Sequence, residues 1–129
     1  MFDRPQVMQV ASALAAHAAR RQTAIAENVA NADTPGYRAR DLTAFAESYR
    51  SSAEDAPRQT RPGHLGAIAG AGGAELIERT GAGHLSPNGN SVSLEREMVA
   101  SAAVRRDHDM ALTVYRKSLD ILRSSLGRR

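Results

Sequence analysis

Residues 28–37 read Asn28-Val29-Ala30-Asn31-Ala32-Asp33-Thr34-Pro35-Gly36-Tyr37, and the plan of the whole chain turns on them. A helical pattern runs into this stretch and does not come out of it. Pro35 presets φ for the second position of a tight turn, and Gly36 supplies the positive φ that the third position of a type II turn demands. Asp33 is expected to accept a hydrogen bond from the backbone two residues on. Asn28 and Asn31 lie one helical turn apart, so their amides can bond either the turn backbone or a neighbouring chain. On chemistry alone two readings stay open: a well-made helix exit with no partner, or an exit that presents its amides to another subunit.

Upstream, residues 3–32 read as one amphipathic helix. Asp3 is placed to cap it, with Gln6 three residues on in a loose capping box. Pro5 is tolerated in the first turn, where N–H groups have no intrahelical partner. Val7, Ala11, Leu14, Ala18, Ile25 and Val29 recur at spacings of three, four and seven, which gathers them on one stripe. Downstream, residues 93–126 form a second long helix. Ser93 is its expected N-cap, and Glu95 and Glu97 suit the positive end of its dipole. Leu94, Met98, Ala102, Leu112, Tyr115, Leu119, Leu122 and Leu126 make a stripe near heptad spacing. The stripe breaks at Arg105-Arg106-Asp107-His108-Asp109, and Gly127 is a suitable stop.

Between the helices the composition changes. Eight of the ten glycines fall between Gly63 and Gly89, and four of the five prolines between Pro35 and Pro87. Residues 66–73 have too little bulk for a helix and too much Gly for a stable strand. This predicts a loop-rich arm with one small hairpin, in which Leu76 and Ile77 form a short strand. The expected fold is therefore mainly α, with two long terminal helices packed as an antiparallel coiled-coil-like pair and joined by the Gly/Pro arm. Its three parts are residues 1–32, the N-terminal helix of an inner domain; 33–92, the turn and arm; and 93–129, the C-terminal helix of the same domain.

The composition says how such a pair is finished. The chain has 129 residues, with 24 Ala but only 23 Ile, Leu, Val and Phe together. That is too little bulk for a large private core, and it suits Ala-rich helices whose burial is completed by other chains. There is no cysteine, which removes disulfides, zinc–thiolate sites and cysteine nucleophiles. No apolar run is long enough to span a bilayer, and the N-terminus lacks the order of a cleavable signal peptide. The net charge is only +3, but a pI near 9.9 invites a nucleic-acid reading. Its arginines are scattered and interleaved with acids, however, whereas nucleic-acid binders concentrate charge on one face.

Catalysis finds little footing. His17, His64, His84 and His108 show no pair at metal-site spacing on a helix. Asp107 and Asp109, two apart on a helix, point in different directions. Residues 70–73 lack the flanking strand, helix and Lys of a phosphate loop. No catalytic, metal or cofactor residues are expected, and no direct lipid binding, since the stripes are Ala- and Leu-based and carry no Trp or Phe anchor.

The turn also carries a family resemblance. Asn28, Asn31, Thr34, Pro35, Gly36 and Tyr37 match in register the N-terminal signature of the axial proteins of the bacterial flagellum, the rod, hook and hook-associated proteins. The continuation Arg38-Ala39-Arg40-Asp41-Leu42-Thr43-Ala44-Phe45 is similar to proximal rod members in particular. Asn90-Ser91-Val92-Ser93-Leu94-Glu95-Arg96-Glu97-Met98 resembles the family's C-terminal motif. The short chain agrees, because hook and distal-rod members carry larger inserted domains. The charged stretch at residues 105–109, and Ser118-Leu119 where relatives carry an aromatic beside a Lys, depart from the pattern.

The resemblance implies a structural subunit of the proximal rod, assembling by helix packing with neighbouring subunits around the export channel. It adds Asp33, Arg40 and Asp41 to the signature residues concerned with assembly. Implied partners are further copies, FlgC-like rod proteins, the rod–membrane-ring adaptor and the export gate. The implied location is the periplasmic rod of the basal body, reached through the flagellar export route without a cleaved signal peptide. The rival from another class is a small basic helical DNA-binding or regulatory protein, whose binding would fall steeply with salt.

Overall fold

A computed structural model of the chain describes residues 5–54, 74–79 and 85–127. The elements run α1 (Gln6–Ala30), β1 (Arg40–Leu42), α2 (Phe45–Glu54), β2 (Leu76–Glu78) and α3 (Leu94–Ser125). The protein is mainly helical, and α1 and α3 pack against each other along their lengths. They run antiparallel. Asn28, near the end of α1, bonds Glu97 in the first turn of α3, and Gln22 bonds Ser101 one turn further along. With 25 and 32 residues, the helices extend about 37 and 48 Å at 1.5 Å per residue.

Small residues set the closeness of the pair. Ala18, Ile25 and Val104 form the buried core, with Ala100 packed against it, and Ala11, Ala24 and Ala111 are also buried. Alanine favours helix and lets two backbones approach, so the thin composition builds a tight seam rather than a thick core.

Both helix starts differ from expectation. Asp3 lies outside the described residues. The cap of α1 is Pro5, which makes no side-chain cap bond and instead receives the Met8 and Gln9 N–H groups on its carbonyl. Ser93 does occupy the N-cap of α3, but its hydroxyl caps nothing. Its carbonyl accepts from the Glu97 N–H. Gly127 follows the last turn of α3 at φ +81°, as a C-terminal stop requires.

The inward stripes are shifted as well. Ala11, Ala18 and Ile25 are buried, Leu14, Leu112, Tyr115, Leu119 and Leu122 are half-buried, and Val7, Val29, Leu94, Met98 and Leu126 are exposed. Glu97 takes the inward position at the start of α3, and a residue one step away lies 100° round the helix. Met98, one step on, and Leu94, three residues back and about 60° round on the same side, are both turned out. The inward line continues through Val104 and Ala111, so residues 105–109 do not break it. Asp107 and His108 are half-buried there, while Arg105, Arg106 and Asp109 face solvent.

The arm holds more regular structure than a loop-rich reading allows. The helix α2 lies inside it, bearing Phe45 and Tyr49 four residues apart with ring centroids 5.5 Å from each other. Phe45 meets His17 edge-on at 5.6 Å, and His17 Nε2 donates to the Thr43 carbonyl at 2.9 Å. The two strands pair antiparallel in the register Arg40↔Glu78, Asp41↔Ile77 and Leu42↔Leu76. Leu76 and Ile77 are in a strand as expected, but its partner is far away in sequence, so the expected hairpin is a pairing closed by a long connection. Residues 66–73, His64 and His84 lie outside the described residues.

Candidate functional site

The site is the junction where the end of α1, the turn, both strands and the start of α3 meet. The turn at residues 34–37 is closed by the Tyr37 N–H to the Thr34 carbonyl at 3.3 Å, with Gly36 at φ +72°. A Cβ at Gly36 would meet nothing within 4 Å, so the need for glycine there is conformational and not spatial. Asp33 does not brace the turn as expected, because the residue two positions on is Pro35, which has no N–H to give. Asn31 instead bonds back to the Glu27 carbonyl at 2.8 Å and accepts from the Thr34 hydroxyl at 3.2 Å. Thr34 and Pro35 are exposed.

The last-turn carbonyls of Glu27, Asn28 and Val29 accept from the Asn31 and Ala32 N–H groups, and the carbonyls that follow in the turn need partners from elsewhere in the chain. Asn90 supplies them. Its buried side-chain amide donates to the carbonyls of Asn31, Ala32 and Thr34 at 2.9, 2.9 and 2.7 Å, while its Oδ1 accepts from the Val92 N–H at 2.7 Å. Around it the Gly36 N–H reaches the Asn88 carbonyl and the Ser91 N–H reaches the Tyr37 carbonyl, both at 3.0 Å. The two sequence motifs, one on each side of the arm, thus close into one unit.

Asn28 is fully buried and acts as a piece of strand. Its Nδ2 donates to the Arg40 carbonyl at 2.7 Å and its Oδ1 accepts from the Arg40 N–H at 2.9 Å, completing both backbone groups of that residue. The Arg40 side chain is exposed, so the residue contributes here through its backbone. The second Nδ2 hydrogen points to Glu97 Oε2 at 3.2 Å, and the Tyr37 hydroxyl is 3.4 Å from Oδ1.

Four charges complete the junction. Arg21 holds Asp41 with two bonds of 2.8 and 2.9 Å. Arg79 reaches Asp41 at 2.9 Å and Glu97 at 2.7 Å, and the Glu97 side chain is wholly out of solvent. Two cations and two anions therefore tie α1, β1, the residue after β2 and α3 together. Burial opposes ionisation of Asp41, yet hydrogen bonds from Arg21, the Leu42 N–H and Arg79 outweigh it and hold its carboxyl below the ordinary 3.8. The same pairing raises the Arg21 guanidinium further.

Sequence reading placed Asn28, Asn31 and Asp41 in the turn region and Asn90 and Glu97 in the second motif, but gave no contact to Arg21, Arg79 or Asn90 and no role to Glu97 beyond the helix dipole. A signal for Arg21 was present: positions 14, 18, 21, 25 and 28 follow the inward spacing of α1, and a charge on an apolar line calls for a partner. Arg79 carried no such signal, because its partners come from two distant segments, residues 39–41 and the start of α3.

Every buried side-chain nitrogen and oxygen among the described residues has a hydrogen-bond partner. No described helix is long and apolar enough to cross a membrane. The polar groups of this site are engaged in fastening chain segments, so fold and site define a structural module: a helix pair with a braced arm. Comparison with known proteins says of what. The family model described as "Flagella basal body rod protein" matches residues 8–38, which span α1 and the turn. The chain is 30% identical over 108 residues to the flagellar basal body rod protein FlgB of Agrobacterium fabrum (strain C58 / ATCC 33970), covering 81% of each protein. The chain belongs to the flagellar basal body rod protein family, and is a structural protein of the flagellar basal body. Neither match supports the DNA-binding alternative.

Proposed function

We propose that this chain is a structural subunit of the proximal rod, in which α1 and α3 pack against the corresponding helices of neighbouring subunits around the export channel. The observation that carries the reading is the contrast between a junction with all its buried polar groups paired and long helices that leave Val7, Val29, Leu94, Met98 and Leu126 exposed. A helix pair with one finished end and unfinished flanks suits completion by neighbours. The contacts are heterologous, since identical patches facing each other would close a dimer instead of building a rod. The signature residues Asn28, Asn31, Asp33, Thr34, Pro35, Gly36, Tyr37, Arg40 and Asp41 act by fixing the angle between helix pair and arm.

On this reading the partners are further copies, FlgC-like rod proteins, the membrane-ring adaptor and the export gate, and the subunit reaches the periplasm by flagellar export without a cleaved signal peptide. The test is complementation of a deletion strain with a tagged copy, followed by isolation of detergent-resistant basal bodies. Restored motility with the tag in the basal-body fraction is expected. Restored motility with the tag absent from that fraction would refute the reading.

A further inference from the structure

Asn88 is followed by Gly89, and none of the other asparagines precedes a glycine: Asn28 precedes Val29, Asn31 precedes Ala32 and Asn90 precedes Ser91. An Asn-Gly bond is open to attack from within, because no Cβ on the glycine shields its nitrogen from the asparagine Cγ. Asn88 is exposed, so water reaches it, and it lies in the turn that meets Gly36 at the junction.

The fold holds each group that this chemistry would use. The Asn88 carbonyl and the Gly89 N–H are the two edges of one peptide group. The carbonyl accepts from the Gly36 N–H at 3.0 Å, and the Gly89 N–H donates to the Ser86 carbonyl at 2.8 Å. Around them the Ser86 N–H donates to the Asn90 carbonyl at 2.9 Å. These bonds keep the proton on the Gly89 nitrogen and fix the peptide plane against turning toward Cγ. The Asn88 Oδ1 accepts from the Asn90 N–H at 3.1 Å. That bond polarises the side-chain carbonyl as an oxyanion donor does, so it favours attack once the nitrogen is released.

We propose that Asn88 is a site of deamidation, restrained while the junction is closed and released when it opens. The Gly89 nitrogen gives up its proton and bonds to Cγ, the Cγ–Nδ2 bond breaks, and Nδ2 leaves as ammonia. Water then opens the resulting succinimide ring. Cleavage at the side-chain carbonyl leaves aspartate at position 88, and cleavage at the main-chain carbonyl leaves isoaspartate, with the chain running through Cβ and Cγ. The balance is amide plus water to carboxylate plus ammonium, with no oxidant or reductant.

Either product adds a negative charge to the turn. Isoaspartate also lengthens the backbone by a methylene, and the carbonyl that Gly36 uses becomes a carboxylate beside the chain. A chain modified while open therefore cannot rebuild the Gly36 contact and the Asn90 register together. Water is the one co-reactant, and the step does not depend on the rod-subunit role.

Full-length protein incubated at mildly alkaline pH, in buffer and in urea, tests this. Cutting after Arg79 and Arg96 gives one peptide that carries both Asn88 and Asn90, so Asn90 is an internal control. Mass spectrometry locates the conversion, and chromatography separates the two products. A reaction confined to the open state is slowed by the fraction open, so Asn88 should convert about tenfold or more slowly in buffer than in urea. Asn90 should lag behind it in urea. Asn90→Ala keeps the N–H at position 90 but loses the amide that gathers the turn carbonyls, and should convert at Asn88 faster than wild type in buffer. Equal rates in buffer and urea, or an Asn90→Ala rate no faster than wild type, would overturn the restraint. Absence of conversion in urea, or equal conversion at Asn90, would overturn the site.

Discussion

Glu97 is the residue on which the junction's polar contacts converge. Its carboxylate is out of solvent between Arg79 and Asn28, so removing it takes one partner each from a guanidinium that keeps Asp41 and an amide that keeps the Arg40 carbonyl. Losing a hydrogen bond to a charged group costs about 1.5–3 kcal/mol. Glu97→Ala should therefore lower the urea midpoint sharply, and Glu97→Gln should recover part of the loss by keeping the hydrogen bonds. Equal midpoints for Ala and wild type would show that the network contributes nothing.

Asp41 gives the same network a pH signature. Its carboxyl titrates below its ordinary 3.8 in the folded protein. Stability from this group is thus present above that value and is lost as pH falls through the lower folded value. Thermal unfolding between pH 6 and 3 should show an acid limb that Asp41→Asn flattens. An unchanged acid limb in the variant would remove Asp41 from the account. Gly36→Val tests the turn: holding a non-glycine residue at positive φ costs roughly 1–2 kcal/mol. The protein should still accumulate, while motility falls because the arm no longer leaves α1 at the required angle. Full swimming would contradict that role.

Among the elements, the helices were largely legible and the arm was not. Length, alanine content and spacing announce α1 and α3 from sequence. Their rotation was read only in part, because Leu94 and Met98 are more hydrophobic than Glu97, yet Glu97 is the one held inward by a partner from outside the helix. Hydrophobic period cannot see a charge satisfied by Arg79. The short helix α2 carried a local signal in the Phe45–Tyr49 spacing beside Ala44, Ala46 and Glu47, hidden by treating residues 33–92 as one composition. The pairing of β1 with β2 had none, since three-residue strands with mostly exposed side chains offer no pattern. At the site, the turn was readable because Pro35 and Gly36 each permit few conformations. The reach of Asn90 to the end of α1 required the fold. Ile25→Ala in the α1–α3 core should cost about 2–5 kcal/mol, seen as a lower denaturant midpoint. Leu119→Asp puts a charge into the half-buried far end of the same seam and should block incorporation into basal bodies; normal incorporation would exclude that end of the helix from packing.

At the scale of the molecule, the shortage of bulky residues is consistent from end to end. One face of each long helix makes a narrow intramolecular seam of alanine, isoleucine and valine, and other apolar side chains remain on the surface. A single copy is braced at the junction and open along its length. The central claim is that those open flanks are covered in the rod. A cryo-EM map of intact basal bodies, at a resolution that shows side chains, tests it most directly. The account predicts density for α1 and α3 of this chain with Met98, Met110 and Ile121 enclosed by helices of adjacent subunits, and the Asn90 and Glu97 contacts kept within each copy. A map in which those three side chains face solvent, or in which the junction is opened to receive a neighbour, would contradict it.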